Sequence, residues 1–75
     1  MRYKEVIKDF NSGVLDKSKI QLIMDNDGGY WSGLTDNDDV NDKLSADAEE
    51  KYGSPDGYKD IISVLTAAGV NADWC

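Results

Sequence analysis

The side chains in this sequence that could do chemistry are almost all carboxylates. Fifteen Asp and Glu stand against eight Lys and Arg, and histidine is absent. Without an imidazole there is no general base titrating near neutral pH and no His ligand for zinc. Ser/His and Cys/His nucleophilic catalysis and most zinc chemistry fall away together. A single cysteine, Cys75, excludes an intramolecular disulfide and a multi-cysteine metal site. What remains is carboxylate chemistry: an acid/base pair, a hard-cation site, or a charged recognition surface.

An acid/base pair needs two carboxyl groups held in one cleft with their pKa values pushed apart. A chain of 75 residues has little room for a buried cleft beside its core, and its acids repel one another, so no enzymatic activity and no cofactor are expected. Two runs invite a calcium reading, Asp25-Asn26-Asp27-Gly28-Gly29 and Asp36-Asn37-Asp38-Asp39. An EF-hand loop wants oxygen ligands at positions 1, 3 and 5 and glycine at 6. Counting from Asp25 puts Gly29 and Tyr30 at those last two positions, and counting from Asp36 puts Val40 fifth, so both registers fail. The first run reads as a hairpin turn and the second as a helix cap, with loose divalent-ion binding as a further alternative. Gly28, Gly29 and Gly33 match no phosphate-cradling motif and read as turn residues.

The recognition surface is the reading that the charge pattern favours. Residues 25 to 50 hold nine acids, Asp25, Asp27, Asp36, Asp38, Asp39, Asp42, Asp47, Glu49 and Glu50, against one base, Lys43. Residues 1 to 24 are net positive and residues 51 to 75 nearly neutral, so the acidity is local. As a helix, Asp39 to Glu50 would rise ~17 Å and carry an acid every ~3 to 4 Å, close to the phosphate spacing of one nucleic-acid strand. Such a face could bind the Lys and Arg residues that ordinarily hold phosphates. The plain alternative is a solvated helix face in an acidic protein.

The elements that must carry these residues follow from periodicity. Tyr3, Val6, Ile7 and Phe10 give Arg2 to Phe10 the stripe of an amphipathic helix, stopped at Asn11-Ser12-Gly13. Val14 to Ser18 is a linker. Lys19 to Asp25 alternates as a strand with Ile20, Leu22 and Met24 on one side. A two-residue turn within Asn26-Asp27-Gly28-Gly29 returns it through Tyr30 to Leu34. Pairing parity puts Trp31 on the Ile20/Leu22/Met24 face and Tyr30 on the other with Ile23 and Asp25. Tyr30 would be an aromatic anchor with an acidic rim if that face stays open; for Ile23 the favoured reading is core beneath a covering helix.

Asp36 or Asp38 could cap a helix from Asp39 to Tyr52, with Val40, Leu44, Ala48 and Tyr52 inward and Asp39, Asp42, Asp47, Glu49 and Glu50 outward; a shorter helix from Ser45 is the alternative. Ser54-Pro55-Asp56 starts a core helix with Tyr58, Ile61, Ile62, Leu65 and Ala68 inward and Gly69-Val70 as its end. The segment Asn71 to Cys75 docks through Trp74 or frays, and Trp31 and Trp74 read as core. The expected fold is a small α+β single domain spanning residues 1 to 75. It comprises an N-terminal helix, a β-hairpin, an acidic helix and a C-terminal core helix, the helices on one face of the sheet.

The start, Met-Arg-Tyr-Lys-Glu, lacks the apolar run of a signal peptide, and no window approaches a membrane span. The expectation is a cytoplasmic protein with no membrane role. At the level of class, a histidine-free single domain with the acids of Asp25 to Glu50 resembles the small acidic phage-encoded inhibitors of host defence, the anti-CRISPR and antirestriction proteins. The resemblance implies a nucleic-acid mimic acting in the host cell cytoplasm through protein–protein interaction. Its partner would be a basic nucleic-acid-binding protein such as a CRISPR effector, and DNA or RNA itself would not be bound. The partner-binding residues implied are Asp25, Asp27, Tyr30, Asp36, Asp38, Asp39, Asp42, Asp47, Glu49 and Glu50. The alternative is a small structural or adaptor protein that binds through its hairpin and aromatic surface, with the acids serving only solubility.

Overall fold

The computed structural model describes residues 2–55 and 59–75. In chain order the elements are α1 (Tyr3–Ser12), β1 (Ile20–Met24), β2 (Gly29–Gly33), α2 (Asp38–Tyr52), α3 (Lys59–Ala67) and β3 (Ala72–Trp74). The sheet order is β2-β1-β3, with β1 antiparallel to β2 and parallel to β3. The α+β single-domain architecture is the one the sequence predicts, with one addition: the hairpin acquires a third strand.

Helix α1 ends at Gly13, whose left-handed backbone (φ 82°) lets its N–H bond the Phe10 carbonyl. Its Val6 is fully buried, with Ile7 and Phe10 packed beside it. On the sheet, Ile20, Leu22 and Met24 bury their side chains in alternation, and Trp31, directly opposite Leu22, joins them. These four, with Val6, Ala48, Tyr52, Ile62, Leu65 and Val70, form one core. All three helices contribute to it from the same side of the sheet.

The hairpin turn is longer than expected. Met24 pairs with Gly29, so Asp25 to Gly28 form a four-residue loop. The Asp25 carboxylate accepts the N–H groups of Asp27 and Gly28 at 2.8 Å each, and the Asp25 N–H donates to the Gly28 carbonyl at 2.7 Å. An aspartate that satisfies the loop backbone with its own side chain favours this wider turn over a two-residue one.

Two glycines read as turn residues are strand residues with a packing role. Gly29 and Gly33 lie on the core face of β2 on either side of Trp31. A Cβ at Gly33 would come within 2.6 Å of the Asn41 Cβ, and one at Gly29 within 2.7 Å of the Pro55 Cγ. The small residues let α2 close on the strand at one end and the Pro55 segment at the other, while Trp31 fills the middle. Helix α2 therefore runs back along β2. Trp31 meets Tyr52 with ring centroids 5.6 Å apart, and its indole N–H donates to the Gly53 carbonyl at 3.2 Å.

This approach also rotates α2. Its inward side is Asn41, Leu44, Ser45, Ala48 and Tyr52, and Val40, expected inside, is exposed. Asn41 is held there by Thr35, whose N–H and hydroxyl donate to its Oδ1 at 2.8 and 2.6 Å, while its Nδ2 donates to the Thr35 carbonyl at 2.8 Å. The cap is neither Asp36 nor Asp38 but Asn37, whose Oδ1 accepts the Val40 N–H at 3.2 Å. The helix is full length, and Asp38 and Asp39 occupy its first turn.

In α3, Ile62 and Leu65 are buried and Ile61 half-buried, as the stripe predicts. Ser54 and Pro55, expected as cap and first helical residue, carry no helical backbone, and Pro55 is instead buried against Gly29; Asp56 and Tyr58 lie outside the described residues. The Ser54 hydroxyl donates to the Glu49 carboxylate. At the far end Gly69 is left-handed (φ 91°), and the N–H of buried Val70 reaches the Leu65 carbonyl at 3.0 Å, closing the helix. The chain then pairs as β3 instead of docking through Trp74 or fraying. Leu22 donates to the Asn71 carbonyl at 2.9 Å and Cys75 to the Met24 carbonyl at 2.7 Å. Trp74 is 41 % exposed on this edge strand and is not core.

Candidate functional site

The predicted site residues fall in three places. Asp38, Asp39, Asp42, Asp47, Glu49 and Glu50 lie along α2, all exposed, with Asp36 just before its cap. Asp25 and Asp27 sit in the β1–β2 loop, whose Gly28 abuts the Pro55 carbonyl just beyond the C-terminal end of α2. Tyr30 is half-exposed on the sheet face turned away from the helices, opposite Ile23. The structure thus joins the helix acids to one another and sets the loop acids near one end of them. It separates Tyr30 from them by the thickness of the sheet, so Tyr30 is not an anchor within the α2 surface.

The acids of α2 are outward for a packing reason. Once Gly33 and Asn41 fix which side of the helix meets β2, 3.6-residue periodicity leaves the acids around the solvent half. Two of them are engaged by neighbours: Asp47 with Lys43 at 3.0 Å, and Glu49 with Ser54. Among the described residues, Asp36, Asp38, Asp39, Asp42 and Glu50 make no side-chain hydrogen bond or ion pair, and neither does the Asp27 carboxylate. Asp25 differs, because one of its oxygens is committed to the loop backbone.

The basic residue that could have neutralised the C-terminal end of α2 is turned elsewhere. Lys51 pairs with Asp9 of α1 at 2.6 Å, and the Tyr52 hydroxyl donates to the same carboxylate. The Lys51 and Tyr52 hydrogen bonds hold Asp9 below the usual carboxylate range, and burial, then the hydrogen bond to Asp9, pushes the Tyr52 phenol up. This cluster staples α1 to α2 and leaves Lys43 as the base paired with an acid along α2.

Asp73 is an exposed acid outside the stretch that the charge pattern singles out. It lies in β3 beside Ile23, on the same open face as Tyr30, and one of its oxygens accepts the Trp74 N–H at 2.8 Å. The one trace of it in the sequence is the alternation of Val70, Ala72 and Trp74 with Asn71, Asp73 and Cys75 after a glycine cap. Ile23, expected in the core, is half-buried on this face, and no described helix covers it.

Among the described residues, no three His, Cys, Asp or Glu side chains gather so as to hold a metal ion, and no helix is long and apolar enough to cross a membrane. The hollow between α1 and α3, about 130 Å³ among Tyr3, Ile61 and Val64, contains one carboxylate, Asp60. The fold and surface define a small α+β domain that displays an acidic helix. No protein-family model matches the chain, and neither the curated proteins nor the solved structures provide a match.

Proposed function

We propose that this protein is a non-enzymatic inhibitor that lays the acidic face of α2 on a Lys/Arg-lined nucleic-acid channel and blocks entry of DNA or RNA. The target is a basic nucleic-acid-binding protein of host defence, a CRISPR effector in the first instance, met in the cytoplasm. One observation supports this reading above the rest: α2 is a full four-turn helix whose acids are exposed and, for the most part, unpaired, while the fold is held by other residues. An array of carboxylates that costs self-repulsion and is paired at only two of its members invites another use. A rigid rod with charges at phosphate-like intervals supplies one.

Capture from a bacterial lysate at low ionic strength, with stepwise salt elution and mass spectrometry, tests it, followed by competition of the captured protein's nucleic-acid binding. The expected outcome is a nucleic-acid-binding protein released at moderate salt, whose DNA or RNA binding the inhibitor displaces. A variant with Asp39, Asp42 and Asp47 changed to Asn and Glu49 and Glu50 to Gln loses that displacement. A partner held through high salt, and held equally by the neutral variant, would sink the reading. That result would favour the adaptor role, for which the exposed Tyr30 on an uncovered sheet face speaks.

A further inference from the structure

The face of the sheet opposite the helices carries a second, chemically different surface. Strand alternation places Gln21 and Ile23 of β1, Tyr30 and Ser32 of β2 and Asp73 of β3 on it together. The register aligns three of them in one row across the strands, Tyr30, Ile23 and Asp73. With strands ~4.8 Å apart, Tyr30 and Asp73 stand ~10 Å from each other with Ile23 as the floor between them. Asp25 and Asp27 lie at the hairpin end. Lys19 precedes β1 at the other end, its ammonium 4.0 Å from the Asp16 carboxylate. Leu34, one residue past the end of β2, is 45 % exposed.

We infer that this row is a docking site for an arginine side chain presented by a partner protein. Its methylene stem would lie on Ile23, with the guanidinium stacked against the Tyr30 ring and bonded to the Asp73 carboxylate. The charge of the face selects the occupant. An apolar floor would accept any aliphatic stem, but carboxylates at its margin favour a cation, and a planar guanidinium both stacks on a ring and forks to a carboxylate, which an ammonium does not. A second copy of this chain is disfavoured, since it would add its own Asp25, Asp27 and Asp73 to a face whose margin is already acidic. Asp73 retains an oxygen for the partner after accepting the Trp74 N–H. The inference stands apart from the α2 reading, because the two surfaces lie on opposite sides of the sheet.

The test is a two-dimensional amide NMR titration with a short synthetic peptide alternating Leu and Arg, and with its Lys and Glu counterparts. Saturable shifts at Gln21, Ile23, Tyr30, Ser32 and Asp73 are expected with the Arg peptide, weaker ones with Lys and none with Glu. Tyr30→Thr and Asp73→Asn should each weaken the Arg peptide about threefold or more, the scale of an exposed cation–π or ion contact. Ser32→Lys, which sets a cation on the face without removing either group, should do the same and covers the case in which a first variant misfolds. Shifts confined to residues 38 to 50, equal affinity for Arg and Lys, or sedimentation as a dimer that buries the face would each overturn the proposal. The α2-neutral variant should still show the sheet-face shifts, so failure at one surface is distinguishable from failure at the other.

Discussion

Tyr52 meets Trp31 with its ring and Asp9 with its hydroxyl, and so ties the sheet, α2 and α1 at one point. The ionisations of this cluster make the stability of the fold depend on pH. Asp9 has its folded pKa depressed by Lys51 and Tyr52, so the unfolded chain binds the proton first as pH falls. Its contribution is present above about pH 4 and disappears as pH drops through the folded value. Tyr52 is the reverse case: its folded pKa is raised, so its contribution is intact below about pH 10 and declines above it, where the unfolded phenol ionises first. Chemical denaturation across pH should show Asp9→Asn flattening the acid limb and Tyr52→Phe the alkaline limb. An Asp9→Asn protein with an unchanged acid limb would place the acid sensitivity elsewhere. Trp31→Ala should cost about 3 to 5 kcal/mol, since it empties the space between the two glycines that its ring was shaped to fill.

For the elements, the contact between α2 and β2 decides which side of the acidic helix faces solvent. Gly33→Val drives a branched side chain into the Asn41 backbone and should destabilise by about 1 to 3 kcal/mol in urea denaturation. Asn37→Ala removes the cap and should cost about 1 kcal/mol. The same contact marks where the sequence ceased to be legible. α1, the two strands of the hairpin, the parity that buries Trp31 and the glycine ending of α3 all follow from local periodicity and local turn chemistry, and all are found. The orientation of α2 does not, because the apolar Val40 pointed one way and the long-range fit of Gly33 against Asn41 turned it another. The same distance effect hid β3, since three residues are too few for a period and their partner strand lies far away in the chain. Of the candidate site, the exposure of the acids was readable, because charge seeks water. The side of the sheet occupied by Tyr30 was readable too, and with the helices expected together on the Trp31 face its separation from the α2 acids follows from the same parity.

Taken as a whole, the molecule carries a net charge of −7, with its acids concentrated on one helix, and the folded state brings them closer than the unfolded chain does. Melting temperature should therefore rise as salt is added from low ionic strength, where the screening length exceeds the spacing of the α2 acids. The five-site α2-neutral variant should melt higher than the native chain at low salt and lose most of that dependence. A native chain whose melting temperature ignores salt would mean that the acids do not strain the fold, and would remove one reason for assigning them an external role. The central strand has a further consequence. β1 meets one neighbour across a four-residue loop and the other only after about fifty residues of intervening chain, a far larger closure entropy. Its alternate amides point to different neighbours: Leu22 donates toward β3, while the intervening ones face β2. A single five-residue strand should then exchange its amide hydrogens in two interleaved classes, Gln21 and Ile23 with the hairpin, Leu22 and Met24 at the rate at which β3 lifts away.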